Sequence, residues 1–412
     1  MHCAFLSFLR PIAIAAAILA FGWEAQAGEP VDQFGPPARY DLPAWASAPA
    51  EPDAVQKAAA ALKKAEAGDG QAQWEVAWRY ELGRGVGRDP MAAVDWLQKS
   101  ATQGVAKAQY HLGYALLFSR DVLHRLPEGA QWIAQAAKAG NVPAQAALGY
   151  LCEQGLGMKK DQVEAVAWYR QAAESGQAEA QFDLGHCYIA GIGLAQDPDE
   201  GSRWYLKAAE QGLARAQYNY AVSCLLGRGV DKSDSEALRW MLSAAQQGDS
   251  AAQFVASELY LRGVGGAQNL REAFAWLQKS AQGGYAEAQV TLALECYRGE
   301  RVPKDPKMGF LWAQKAAAQG DPSGMGVIAQ AFADGSGTTQ DAAIATEWFR
   351  KAAEKGNIPA LYFFADRLYR GEGVVANRVE GVKCMIQAAN LGSDPARQYL
   401  DKLKQEMAAA KK

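Results

Sequence analysis

The chain reads as an all-α solenoid of nine 36-residue helix–turn–helix repeats, with a capping helix at each end. Three observations predict this. A glycine recurs every 36 residues, at Gly68, Gly104, Gly140, Gly176, Gly212, Gly248, Gly284, Gly320, Gly356 and Gly392, with no insertion or deletion between them. A tryptophan keeps the same step at Trp96, Trp132, Trp168, Trp204, Trp240, Trp276, Trp312 and Trp348, and Cys384 replaces it in the ninth unit. Five residues after that position stands an alanine without exception, from Ala101 to Ala389. Self-similarity at a period of roughly 20 to 50 residues marks stacked units, each burying its apolar face against its neighbours. The units at 68–392 therefore form one elongated domain, suited to presenting surface rather than a deep catalytic pocket.

The elements follow in order. Residues 1–27 have the form of an export signal: Arg10 closes a short polar region, Ile12 to Phe21 is apolar, and Ala25-Gln26-Ala27 has the small-x-small form that precedes cleavage. The apolar run is about half the length a spanning helix needs, so cleavage near Ala27 is expected, with no spanning segment in the mature chain and a periplasmic or secreted location, and an uncleaved membrane anchor is the alternative. Residues 28–52 carry Pro30, Pro36, Pro37, Pro43, Pro49 and Pro52 and read as an extended linker. Residues 53–67 form a lone amphipathic helix whose Ala65 matches the repeat alanine, an N-terminal cap equivalent to a second helix.

Within a unit, Ala180, Gln181, Leu184, Gly185 and Tyr188 share one helical stripe, with a small residue where another helix must come close. Gly191-Ile192-Gly193 stops that helix, because glycine accepts the positive φ of a helix C-terminus and tight turn. Asp197-Pro198 starts the next, an oxygen to cap free amides followed by a residue that needs no amide. The start signal recurs at Asp89, Asp161, Ser233, Asn269, Asp305, Asp341 and Asn377. Three residues before each tryptophan position stands alanine or glycine, Ala93, Gly129, Ala165 and Gly201 among them, read here as a shallow bed for the indole. Residues 393–412 close the array as a capping helix and polar tail, with Ala396, Tyr399 and Leu400 on the packed side.

The motif Ala180-Gln181-Phe182-Asp183-Leu184-Gly185, then Tyr188, Gly191-Ile192-Gly193, Trp204-Tyr205 and Lys207-Ala208-Ala209, resembles the Sel1-like repeat, an α/α relative of the tetratricopeptide repeat. The resemblance implies a right-handed superhelix whose first helices line the concave face. It also implies an adaptor that holds protein complexes together, in exported bacterial members linked to envelope assembly, polysaccharide export and signalling. The disulfide-stitched branch of the family is not matched, because its cysteine pairs are absent. Cys152, Cys224 and Cys296 fall at one repeat position in alternate units, about 20 Å apart if each helix layer adds about 10 Å, beyond disulfide reach. With Cys187 and Cys384 they are expected to be small buried core residues.

Composition and motifs exclude several function classes. Net charge is −3 with both signs interspersed, which lacks the basic footprint of a nucleic-acid binder. His111, His124 and His186 lie in unrelated registers without ligand-spaced partners, so no metal site is expected. No Ser-x-x-Lys, nucleophile elbow or paired-histidine helix is present, so no catalytic or cofactor-binding residue is assigned and the protein is read as a non-enzymatic scaffold. Its expected ligand is another protein or an extended peptide in the concave groove. A polysaccharide or peptidoglycan ligand is the alternative, and a β-lactamase-like cell-wall hydrolase the less favoured one.

Two irregularities locate the expected binding face. In the second unit Phe118 to Arg125 replaces the glycine turn without changing the unit's length, which demands another turn conformation or a longer helix. On the first helices, the position two after the alanine of each Ala-Gln pair holds Trp74, Tyr110, Phe182, Tyr218 and Phe254, and is expected mainly to pack. The position four further on lies about 170° from the packed stripe at about 100° per residue and is expected to face the groove. It holds Trp78, Tyr114, Tyr150 and His186 over four successive units, and from the sixth unit on it reads Glu258, Leu294, Gln330 and Asp366. Aromatic rings are favoured at interface hot spots, so Trp78, Tyr114, Tyr150 and His186, with Trp74 and Tyr110 behind them, are the candidate partner-binding residues.

Overall fold

The computed structural model describes residues 53–119 and 124–409, and among these every regular element is an α-helix. The predicted export signal and proline-rich linker lie outside the described residues, as do 120–123 in the second unit's turn. The chain divides into two bodies between Ser233 and Asp234. The first holds α1 (Ala54–Glu66), α2 (Gly70–Leu82), α3 (Pro90–Thr102), α4 (Ala106–Phe118), α5 (Leu126–Lys138), α6 (Val142–Gln154), α7 (Gln162–Glu174), α8 (Ala178–Ala190), α9 (Pro198–Glu210) and α10 (Ala214–Leu226). The second holds α11 (Asp234–Gln246), α12 (Ser250–Arg262), α13 (Leu270–Gln282), α14 (Ala286–Arg298), α15 (Pro306–Ala318), α16 (Pro322–Asp334), α17 (Ala342–Glu354), α18 (Ile358–Arg370), α19 (Arg378–Asn390) and α20 (Asp394–Ala409). Each body is an α/α solenoid segment in which consecutive helices pack against one another.

The helix starts are where the sequence places them. Side-chain oxygens of Asp89, Asp161, Asp197, Asn269, Asp305, Asp341 and Asn377 accept from backbone amides of the first turn, filling valences that a helix cannot fill itself. Several first helices are capped in the same way, by Asp69, Asn141, Asp249, Asp321 and Asn357.

Two kinds of glycine close the unit, for different reasons. Gly212 sits at φ +90° with open space where a side chain would be, so only its backbone conformation demands glycine. Gly193 has φ +68°, and a methyl group there would lie 2.1 Å from the carbonyl oxygen of Gln162, at the start of the preceding unit's second helix. The inter-helix turn is thus seated on its neighbour with no room for a side chain. In the second unit α4 instead ends at Ser119 in extended conformation (φ −71°, ψ 134°), and His124 donates a ring N–H to the Ser119 carbonyl at 2.9 Å. The amide of Arg125 still reaches the Leu116 carbonyl (3.0 Å), as Asp161 reaches Cys152 (2.8 Å) one unit later, so α4 is no longer than its fellows and the register survives.

The small residue three before the tryptophan does different work from the bed inferred above. A methyl group on Gly201 would lie 2.7 Å from Ile189 Cγ1 and 2.9 Å from the carbonyl of Gly185, and one on Gly185 would meet Gly201 in return. These positions let the two helices of one unit touch backbone to backbone, as Gly113 and Gly129 do in the second unit. The indoles lie elsewhere. Trp204, Trp240 and Trp276 are buried, whereas Trp96, Trp132, Trp168, Trp312 and Trp348 are half-buried. A lysine three residues on covers several of them, with Nζ 3.9 Å above Trp96, 3.7 Å above Trp204 and 3.9 Å above Trp276.

The glutamine of the Ala-Gln pair joins consecutive units. Its side-chain amide donates to the invariant alanine's carbonyl eight residues earlier: Gln73 to Ala65 (3.0 Å), Gln109 to Ala101 (3.2 Å), Gln181 to Ala173 (3.1 Å), Gln217 to Ala209 (3.1 Å), Gln253 to Ala245 (3.0 Å) and Gln289 to Ala281 (3.1 Å). Met325 and Leu361 cannot make this bond, and Arg397 restores it to Ala389 (3.2 Å) from α20. Ala61 and Ala65 of α1 pack with Ala72 and Val76 of α2. Cys152, Cys187, Cys224 and Cys296 are free and buried, and Cys384 is free and half-buried.

Candidate functional site

The second unit departs from the repeat at its turn, and the helices of the first two units build an aromatic cluster. Trp74 and Trp78 stand one turn apart on α2, and Tyr110, His111, Tyr114 and Phe118 follow along α4. The Trp78 indole meets the His111 ring edge-on at 4.9 Å between centroids, with Trp74 6.3 Å from that ring. Tyr110 lies 6.2 Å from Tyr114, and Tyr114 lies 5.0 Å from Phe118. The cluster therefore runs without a break from the core of the first unit to the atypical turn of the second.

A cleft of about 490 Å³, including its open mouth, lies beside it between α2, α3 and α4. Trp78, His111, Tyr114, Pro90, Val94 and Leu97 give it apolar walls, and Glu81 and Ser119 add polar groups. The indole nitrogens of Trp74 and Trp78 are buried and have no hydrogen-bond acceptor. An orphaned buried donor is unusual in a folded protein, because such groups are nearly always paired.

The outward-facing ladder needs correction. Trp78 is only 9% exposed, Tyr150 8%, Trp74 6% and Tyr110 0%, while Tyr114 and His186 are half-buried. The helical wheel treats a first helix as packed on one side, whereas a neighbouring unit's first helix closes over the far side as well. His111, from that neighbouring helix, is what covers Trp78. Tyr150 lies in the core with Leu148 and Leu151. His186 is held neutral by desolvation, its pKa lowered to about 4. The structure thus gathers Trp74, Trp78, Tyr110 and Tyr114 at one place and sets Tyr150 and His186 into later units. His111 and Glu81 belong to the site without having been singled out for it, and only the odd second-unit turn hinted at Phe118.

A second polar group lies further along the first body. Tyr169 donates its hydroxyl to Glu153 (2.8 Å), and burial raises the pKa of both. Asp183 is pushed up to about 7 by burial, against the pull of Arg215 4.0 Å away. Arg215 also lies over the Phe182 ring at 4.4 Å, tying α8 to α10. Among the described residues no group of three or more histidines, cysteines or carboxylates is placed to hold a metal ion, and no helix is long and apolar enough to cross a membrane.

The chain matches the family model described as Sel1 repeat nine times, at residues 70–105, 106–141, 142–177, 178–213, 214–249, 250–285, 286–321, 324–357 and 358–393. Its fold is similar to the crystal structure of c5321, a protective antigen present in uropathogenic Escherichia coli strains and displaying an SLR fold. The two are 29% identical over 84% of this chain and 82% of that one, with a TM-score of 0.62. A Sel1 repeat protein from Oxalobacter formigenes is 31% identical over 76% of this chain and 91% of that one, with a TM-score of 0.60. No curated protein matches the chain.

Proposed function

We propose, from the fact that this chain belongs to the Sel1 repeat family, that it is an exported scaffold which holds a protein partner by an extended segment laid into the cleft between α2, α3 and α4. The observation that carries this reading is the aromatic cluster at that cleft, with two indole donors that lack acceptors. An extended peptide offers what the site lacks, since its backbone carbonyls are free to accept and its side chains fill apolar walls. Aromatic rings on a rigid helical frame also cost little entropy on binding. Sel1 repeat proteins generally serve as non-enzymatic scaffolds, which supports the choice of binding over catalysis.

The partner is expected in the cell envelope, in line with the form of residues 1–27. Affinity capture from envelope extract, with and without muralytic digestion, tests the class of ligand. A captured protein that is lost with Glu81→Arg at the cleft, and retained with Lys307→Glu in the second body, supports the reading. Retention by both variants refutes the cleft as the binding place, and loss of all capture after digestion turns the ligand into cell-wall polymer.

A further inference from the structure

We infer that the partner segment this cleft takes is proline-rich and bound in the polyproline conformation, with prolines where an ordinary extended peptide would bring backbone N–H groups against the wall. This rests on the reading of the cleft as a site for an extended segment of a partner protein. Three observations choose proline.

The first is the balance of donors and acceptors. Trp78, Pro90, Ala93, Val94 and Leu97 make much of the wall, and its polar residues Glu81, His111, Tyr114 and Ser119 already have partners within the protein. A segment with an N–H on every residue would bury donors among apolar side chains and groups that are already engaged, and a buried donor left without an acceptor costs more than an average hydrogen bond returns. Proline has no N–H to bury. Carbonyls meet the opposite situation, because the N–H of Trp78, whose ring is part of the wall, is buried without an acceptor. The complement of such a wall is a chain with carbonyls and few amides.

The second is the backbone around the cleft. It belongs to three helices, α2, α3 and α4, whose N–H and C=O groups are spent along the helix ladders. Among the described residues there is no strand, so no sheet edge is present to take up an extended chain by backbone pairing. A polyproline helix needs no such edge. It has no internal hydrogen bonds, leaves its carbonyls free and docks in aromatic-lined grooves.

The third is size. The first helices of the first two units, α2 and α4, meet through Trp78 and His111, and packed helices lie about 8–10 Å apart. One polyproline turn, three residues at about 3.1 Å each, covers the same length. The volume of about 490 Å³ also falls within the range of about 300–1,000 Å³ usual for ligand sites. The cleft is therefore about one turn long, with the rings of Trp78 and Tyr114 on its wall.

The test uses the full chain labelled at tryptophan, with the Trp78 indole N–H followed by NMR and assigned with Trp78→Phe. Three nine-residue synthetic peptides are titrated in. One consists of three Pro-Pro-Leu triplets, the second has alanine at every proline position, and the third has N-methylalanine there, which lacks both the ring and the N–H. The proline peptide is expected to move the Trp78 signal and to bind at least about tenfold more tightly than the alanine peptide, since one buried donor without an acceptor is worth about that factor. The N-methylalanine peptide is expected to bind more nearly like the proline peptide than like the alanine one. Trp78→Phe, which keeps a ring in the wall and removes the N–H, is expected to weaken the proline peptide roughly threefold or more, with circular dichroism to show that the variant is folded. An alanine peptide that binds as tightly as the proline peptide, or an N-methylalanine peptide that binds no better than the alanine one, overturns the proposal and leaves the extended-segment reading in place. A Trp78 signal unmoved by all three peptides overturns it too, and capture with Glu81→Arg then decides that reading by itself.

Discussion

Replacing Gln181 by methionine isolates the bond that joins one unit to the next. The side chain donates to the Ala173 carbonyl at 3.1 Å and accepts from the Gln211 amide at 2.7 Å, so its amide links α7, α8 and the residue that follows α9. Methionine keeps the length and apolar stem, and the protein itself uses methionine at the equivalent position, Met325. Neither partner is left empty by the change: Gly176 still donates to the Ala173 carbonyl (3.0 Å), and Gln211 is free to turn toward water. The loss is therefore two net hydrogen bonds at about 0.5–1.5 kcal/mol each, a destabilisation of about 1–3 kcal/mol. Gln181→Ala adds the missing stem and is expected to cost about 1–2 kcal/mol more. Urea denaturation read by circular dichroism gives the totals, and hydrogen exchange at α8 localises them. A Gln181→Met protein within about 0.5 kcal/mol of wild type would refute the view that this glutamine couples units.

Further outcomes follow from the same geometry. Gly212→Ala is expected to cost about 1–2 kcal/mol, the price of positive φ alone, whereas Gly193→Ala, with its methyl 2.1 Å from the Gln162 carbonyl, is expected to cost at least about 2 kcal/mol more; equal midpoints in urea would count against seated turns. Trp204→Ala is expected to cost about 3–5 kcal/mol and Trp168→Ala less, because Trp168 is half-buried; a reversed order in thermal melts would show that burial does not rank the column. Asp183 and His186 give opposite pH dependences. The raised Asp183 pKa stabilises the fold below its unfolded value of 3.8 and loses that effect as pH rises through about 7. The lowered His186 pKa stabilises above 6.5 and loses its effect as pH falls toward about 4. The two slopes oppose each other between pH 4 and 6.5, so Asp183→Asn should shift the slope of stability against pH there in the positive direction, relative to wild type, by up to about 1.4 kcal/mol per unit. A slope unchanged from wild type in that variant would mean that the Asp183 pKa is not raised by folding.

The repeat, its helix starts and its turns were legible because each depends on local chemistry: a capping oxygen, a proline without an amide, a glycine at positive φ. Free buried cysteines were legible from spacing as well. The binding face was not. Trp78 and Tyr150 look outward on a single wheel because a wheel has no neighbours, and their burial is decided by residues of other helices, such as Val94, Leu97 and His111 around Trp78. The role of Gln181 was hidden for the same reason, since its acceptor belongs to another helix of the preceding unit. Arg301 is a third case: it occupies the place of the second turn glycine in its unit, and its guanidinium lies 3.5 Å from buried Glu295, a pairing no local motif announces.

The seating of Gly193 against Gln162 has an evolutionary corollary. Such a seam joins a turn to the helix start 31 residues before it, so any length change between the two displaces one surface from the other. Loss or duplication of a whole 36-residue module, by contrast, recreates the same seam between new neighbours. Arrays of this type are therefore free to lengthen or shorten by unequal recombination in whole modules, while small insertions within a module are purged. The unbroken count from Gly68 to Gly392 is the spacing that such a constraint requires.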